Sequence, residues 1–367
     1  MKMLMDDDRI STGQAIALII NTILGISLTT LPGDLAEAAG PDCWILVILG
    51  GVIALIAALI IAAVITRFNG KTFIEYTSFV LGRPVGFLVG ALYSFYFVIV
   101  CAVVLRVFAE VLKNFVLEST PREFVIITLL LLSFYLIRHG LEPMVRFMVI
   151  NTPIWLITAA AAFLFTFSKV DFSELLPFFR TPPDKILFGT VSAAISMAGF
   201  EVLMVAGQGL KTTRHVYKIA AVSIATVTAF YLYLVVIVVS VLGVHETGRL
   251  LWPTMAVLRS ITVPGGILER IEAPIIIVWV IMVFTTLSPY YFSAAITFAN
   301  IFKAKEFKIF APLLFPWIYF LSMMPQNVLE LENWAKFAGN LSIGFGFIIP
   351  FILLIAGSVK AKWGKSE

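Results

Sequence analysis

Ser196-Met197-Ala198-Gly199-Phe200-Glu201 lies inside an otherwise apolar run, residues 185–209. A glycine weakens a helix and a carboxylate is costly inside a membrane, so the helix is expected to break here. A second run has the same character. Asn21-Thr22-Ile23-Leu24-Gly25-Ile26-Ser27-Leu28-Thr29-Thr30-Leu31-Pro32-Gly33 is rich in small, hydroxyl-bearing and β-branched residues, with Gly25 central and Pro32 downstream. Interrupted helices at corresponding places of two halves are the best sequence pointer to a transporter-type binding site.

The chain around these runs reads as membrane protein. It has 367 residues, of which 60% are apolar and 13% charged, with a mean hydropathy of +1.01. A soluble domain carries roughly 25% charge, so a soluble globular enzyme is excluded first. Ten apolar segments stand out: 12–38, 43–66, 84–117, 122–138, 141–167, 185–209, 217–242, 271–300, 308–325 and 337–358. Runs this long with few charges have no other stable home than a bilayer. They fill residues 1–367 as one all-α transmembrane domain. The two expected breaks fall in the first and sixth segments, as a five-plus-five inverted repeat requires, the first repeat about 10–167 and the second about 185–358.

Local signals set boundaries. Ser11 with Gln14 forms a capping-box pattern before the first segment, and Arg83-Pro84 opens the third. Thr72-Phe73-Ile74-Glu75-Tyr76 suits a short surface helix, Leu250-Leu251-Trp252 through Ile261 a re-entrant or interfacial one stopped at Pro264-Gly265-Gly266. With the N-terminus in the cytoplasm, 16 Lys and Arg fall in inner loops and 9 in outer ones, which favours both termini inside. The formal charge of +4 follows from this distribution and does not argue for nucleic acid. The N-terminus, Met5-Asp6-Asp7-Asp8-Arg9, is acidic where a cleaved signal would be basic. Cys43 and Cys101, and the scattered His139, His215 and His245, offer neither a disulfide framework nor a metal cluster. No nucleotide-binding loop, catalytic triad or metalloprotease motif is present, so no enzymatic role or cofactor is expected.

Unwinding a helix in mid-membrane frees backbone groups that only protein, water or ligand can satisfy. N–H groups after Gly25 would face a carboxylate at a positive helix end. Carbonyls near Thr22 and Ser196–Ala198 would accept from an ammonium. An α-amino acid fits both.

On these residues the chain resembles the B subunit of endospore germinant receptors, within the amino acid–polyamine–organocation transporter superfamily. The resemblance covers nearly the whole chain. Its carriers are the acidic N-terminus leading to Ser11-Thr12-Gly13-Gln14, the run from Gly25 to Pro32-Gly33, and Gly199-Phe200-Glu201-Val202-Leu203. Ser27 stands where that superfamily often has a second glycine. The resemblance implies a LeuT-like fold and a pocket built from the first, third, sixth and eighth helices. It also implies a germinant-sensing subunit of the spore inner membrane, working with A and C subunits.

Candidate ligand-binding residues are then Thr22, Gly25, Ile26, Tyr96, Val100, Ser196, Ala198, Gly199, Phe200, Thr286 and Tyr290. Tyr96 and Val100, like Thr286 and Tyr290, share a helix face as i, i+4 pairs. Glu201 is a candidate to tie down the break, carry a proton or meet an ammonium. Arg106 and Glu110 are expected to pair, Arg146 to reach the inner surface, and Asn151-Thr152-Pro153 to form a kink. Thr285, Thr286 and Ser288 could supply oxygens to sodium. The ligand expected is a small neutral amino acid, since no surplus opposite charges line the site. Two functions share this pocket: a receptor subunit that signals through partners, and a self-sufficient permease. A third is a passive scaffold with a degenerate pocket.

Overall fold

The computed structural model describes residues 8–68, 70–260 and 272–363. Part of the outer segment read between Leu250 and Pro264-Gly265-Gly266, from Ile261 onward, lies outside them, as do Lys2, Met5-Asp6-Asp7, Arg270 and Lys365. The described residues are helical, with no strand beyond a single bridge. In chain order the helices are α1 (Thr12–Ala39), α2 (Cys43–Arg67), α3 (Phe73–Leu81), α4 (Arg83–Phe115), α5 (Arg122–Ile137), α6 (Leu141–Leu164), α7 (Pro183–Ser196), α8 (Leu203–Ala206), α9 (Val216–Leu242), α10 (Val244–Arg249), α11 (Pro253–Arg259), α12 (Glu272–Ile301), α13 (Phe310–Met323), α14 (Val328–Ser342) and α15 (Ile349–Trp363). Each of the ten apolar segments is helical. By length and composition, six stretches could each cross a membrane, seven if the bent pair 183–209 counts as one. Large apolar side chains such as Phe95, Phe124, Ile157 and Phe188 are exposed, a surface suited to lipid and not to water.

Local chemistry explains the boundaries. Ser11 Oγ accepts from the Gln14 N–H while Gln14 Oε1 accepts from the Ser11 N–H, the reciprocal cap expected. Thr72 and Glu75 do the same for α3, the short inner helix. Arg106 pairs with Glu110 at 3.1 Å, and Arg122 joins them from α5 at the same distance. Arg146 is held by Glu142 at 2.8 Å. Around Pro153, Asn151 and Thr152 donate to the carbonyls of Phe147 and Met148.

The sixth segment breaks where expected. α7 stops at Ser196, and the chain resumes as 3₁₀ turns and α8 after a bend of 48°. The first segment does not break, which corrects the expectation of an unwound stretch at Gly25. α1 runs continuously from Thr12 to Ala39. Its hydroxyl-bearing residues are consumed locally: Thr22 donates to Leu18 O at 2.7 Å and Thr29 to Ile26 O at 2.8 Å. Pro32 has no N–H, so Leu28 O loses its helical partner. Thr254 Oγ1 of α11 supplies the bond instead, at 2.6 Å.

The turn between α1 and α2 sets the start of α7. Asp42 accepts from the N–H groups of Phe179, Arg180 and Thr181 and from Thr181 Oγ1, at 2.6 to 2.9 Å. Hydrogen bonds to a charged group contribute about 1.5–3 kcal/mol each. Asp42→Ala strands those donors and is expected to destabilise the purified protein by about 2 kcal/mol or more. The check is its thermal unfolding in detergent, against an exposed control such as Glu118→Ala.

Candidate functional site

Beside the break in the sixth segment lies a cavity of about 750 Å³, within the usual range of about 300–1,000 Å³ for small-molecule sites. Its buried end is walled by Thr22 of α1, Tyr96 of α4, and Thr286 and Tyr290 of α12. Ile26, Val100, Ser196 and Ala198 line it further up. Its mouth carries Asp34 and Glu37 of α1, Arg249 of α10, and Glu332 and Lys336 of α14. It therefore runs from a charged rim to an apolar floor with a few hydroxyls, at the end of α1 away from the N-terminus.

Gly25, Gly199 and Phe200 stand behind this wall. A methyl group on Gly25 would collide with the Thr286 side chain, and Gly25 O accepts from Trp279 Nε1 at 3.1 Å. Its role is close packing of α1 on α12, common for small residues between membrane helices. Gly199 has φ +134°, a conformation L side chains rarely adopt. Its open face lies against the backbone of Thr22 and Ile23, where an added carbon would sit 2.9 Å from Ile23 Cγ1. Phe200 is buried edge-on to Phe347, with ring centroids 5.6 Å apart.

Glu201 is fully buried and stitches the break together. Its Oε2 accepts from the Gly199 N–H at 2.7 Å. Its Oε1 accepts from Tyr96 OH at 2.7 Å and lies 3.5 Å from Tyr290 OH. One carboxylate thus satisfies a freed backbone donor and fixes two rings of the cavity floor, from α4 and α12. Below it, Tyr96 stacks on Phe345 at 4.6 Å, and Tyr93 donates to Phe345 O at 2.5 Å. Phe345 sits in a π-helical stretch, Ile343–Ile348, between α14 and α15. These rings close the cavity toward the side where α1 begins and α15 ends.

The α10 and α14 contributions to the rim were not anticipated. A signal existed: Glu332, Lys336 and Asn340 recur every four residues along α14, and all three line the cavity. With α1 intact, its mid-helix N–H groups are engaged in the helix, so the carboxylate subsite expected after Gly25 is not formed in this conformation. Ser27 and Thr30 line the cavity instead.

The arrangement is that of a LeuT-like membrane protein with a small-molecule cavity beside a broken helix. Among solved structures, MhsT in complex with L-phenylalanine superposes with a TM-score of 0.65 over 93% of this chain and 96% of that one, at 14% identity, a likeness of fold alone. The sequence profile described as spore germination protein matches residues 9–330, and the chain belongs to that family. Spore germination protein YndE of Bacillus subtilis (strain 168) is 30% identical over 97% of both chains. Spore germination protein B2 of the same organism is 26% identical over 96% of each, and spore germination protein GerLB of Bacillus cereus 25% identical over 98% of this chain and 97% of its own.

Gly25→Ala is expected to lower stability by about 1–3 kcal/mol through overpacking against Thr286. Adding Thr286→Ala should recover part of the loss, as coupled neighbours do. Thermal unfolding of the two single variants and the double variant measures it; additive losses would exclude the packing role.

Proposed function

We propose that this chain is the membrane-embedded, nutrient-sensing subunit of a spore germination receptor, binding a small neutral amino acid in the cavity and signalling through partner A and C subunits. The cavity beside the Gly199 break carries the reading. Its floor is apolar, with hydroxyls at Thr22, Thr286, Tyr96 and Tyr290 and no unpaired charge. Glu201, the carboxylate that reaches Tyr96 of the floor, is committed to Gly199 and Tyr96. A cationic or anionic side chain would enter without a partner, at a cost of several kcal/mol. At the α7 end, an ammonium would be received by the carbonyls around Ser196–Ala198, where Ser196 and Ala198 line the cavity. The membership in the germination family and the amino acid held by MhsT support the same reading.

The membrane is then the spore inner membrane, with both termini on the cytoplasmic side and the cavity open outward. Residues of about 10–167 and about 185–358 make up the two inverted halves. No chemistry on the ligand is called for. A receptor needs only ligand-dependent bias between two conformations, whereas net transport needs both sides of one site to open in turn. The closed aromatic floor, Tyr96 on Phe345, suits either function in an outward-facing conformation; membership in the germination family favours the receptor.

Binding of radiolabelled amino acids to the purified full-length protein is expected to favour Ala, Val or Leu over Lys, Arg, Asp and Glu by at least about tenfold. Val100→Trp, which projects bulk into the cavity, should abolish binding with little change in thermal stability. Tight binding of Lys or Arg would overturn the neutral-ligand reading.

In liposomes the chain alone should bind ligand but accumulate little of it, with or without a proton or sodium gradient. Robust gradient-driven uptake would promote the permease.

A further inference from the structure

Next to Thr22 of the cavity wall, α1, α6 and α12 meet at Asn21, which is 2% exposed. Its side chain makes four polar contacts. Nδ2 donates to Ala17 O at 2.8 Å and to Thr152 Oγ1 at 2.6 Å. Oδ1 accepts from Trp155 Nε1 at 3.2 Å and lies 3.1 Å from Thr285 Oγ1, whose proton is shared with Met282 O. An indole N–H can only donate, so the atom facing Trp155 must be the amide oxygen and the orientation is fixed. The backbone carbonyl of Asn21 accepts from Thr286 Oγ1 at 2.5 Å, and Thr286 also lines the cavity.

This junction is rich in oxygen. Carbonyls of Ala17 and Met282, hydroxyls of Thr152 and Thr285 and the amide oxygen converge between three helices. Buried oxygens without positive partners are costly, and two partners could serve: a bound monovalent cation or N–H and O–H protons. Here the protons are supplied from within. Asn21 Nδ2 donates to both Ala17 O and Thr152 Oγ1, Thr152 donates onward to Met148 O, and Thr285 donates to Met282 O, so these oxygens have proton partners without an ion. We infer that the Asn21 carboxamide takes the place of a bound cation at the α1–α6–α12 junction, locking the N-terminal half of α1 to the scaffold without any ion. That half is also tied by Ile10, which donates to Gly209 O and accepts from Lys211 N, and by Gln14, which donates to Glu142; Asn21 is its polar tie to both α6 and α12.

The test uses the full chain in lipid nanodiscs, without amino acid ligand, with Cys43 and Cys101 replaced by Ala and a reporter Ala17→Cys. Labelling by a membrane-impermeant maleimide is followed at pH 8 in sodium chloride and in choline chloride of equal ionic strength. The parent should label slowly, at rates within about twofold of each other in the two salts. Asn21→Ala should label at least tenfold faster in both. Asn21→Asp puts an anion among the oxygens and should create an ion requirement: slow in sodium, at least fivefold faster in choline. A merely structural asparagine would not produce that salt response. A parent whose labelling changes tenfold when sodium is withdrawn, or an Asn21→Asp protein indifferent to the salt, overturns the assignment. Should Asn21→Ala fail to fold, Thr285→Val removes one of the four contacts of the Asn21 side chain, together with the bond to Met282 O; an unchanged rate there would equally count against the lock.

Discussion

The hydrogen bonds of the Glu201 carboxylate hold together what the rest of the site needs. A helix broken in mid-membrane leaves polar groups that lipid cannot satisfy. Here the break at Gly199 is closed by a side chain two residues downstream, and the same carboxylate reaches Tyr96 and Tyr290. The α7 terminus, the α4 face and the α12 face are therefore fixed relative to one another by one buried group. A group committed to three donors positions the floor of the cavity and is poorly placed to serve as a free counter-ion.

The contrast between the two expected breaks is instructive. Gly199 and Gly25 look alike in sequence, each inside a run of small or polar residues. Only Gly199 takes a conformation that demands glycine, and only there does a nearby carboxylate stand ready to receive the freed N–H. Gly25 allows close approach to Thr286, and the carbonyls of α1 near it receive side-chain donors from neighbouring helices without the helix opening. Extra donors at intact helical carbonyls give α1 alternatives to its own ladder.

Much of the architecture was legible because apolar length and capping chemistry are local. The capping box at Ser11, the short helix beginning after Thr72, the ten apolar segments and the bend near Gly199 all follow from near-neighbour residues. Thr22, Ile26, Tyr96, Val100, Thr286 and Tyr290 lie on the cavity wall because helical spacing orders them toward one face, and Ser196 and Ala198 lie on it at the break itself. What sequence did not yield depends on tertiary packing. Gly25 could be read as break or contact until Thr286 was seen opposite it. The rim residues on α14 belong to a helix that starts at Val328, where the apolar count begins only near residue 337. The hydroxyls of Thr285 and Thr286 could not be assigned until Asn21 appeared among them.

The charged rim has a kinetic consequence. Asp34, Glu37 and Glu332 face Arg249 and Lys336 around one opening, so the field at the entrance is of mixed sign and nearly cancels at a distance. A zwitterion approaching it carries a dipole but no net charge, and gains little from long-range steering. Its capture is then governed by diffusion and by the polar contacts of the rim itself, and is nearly indifferent to the salt around the membrane.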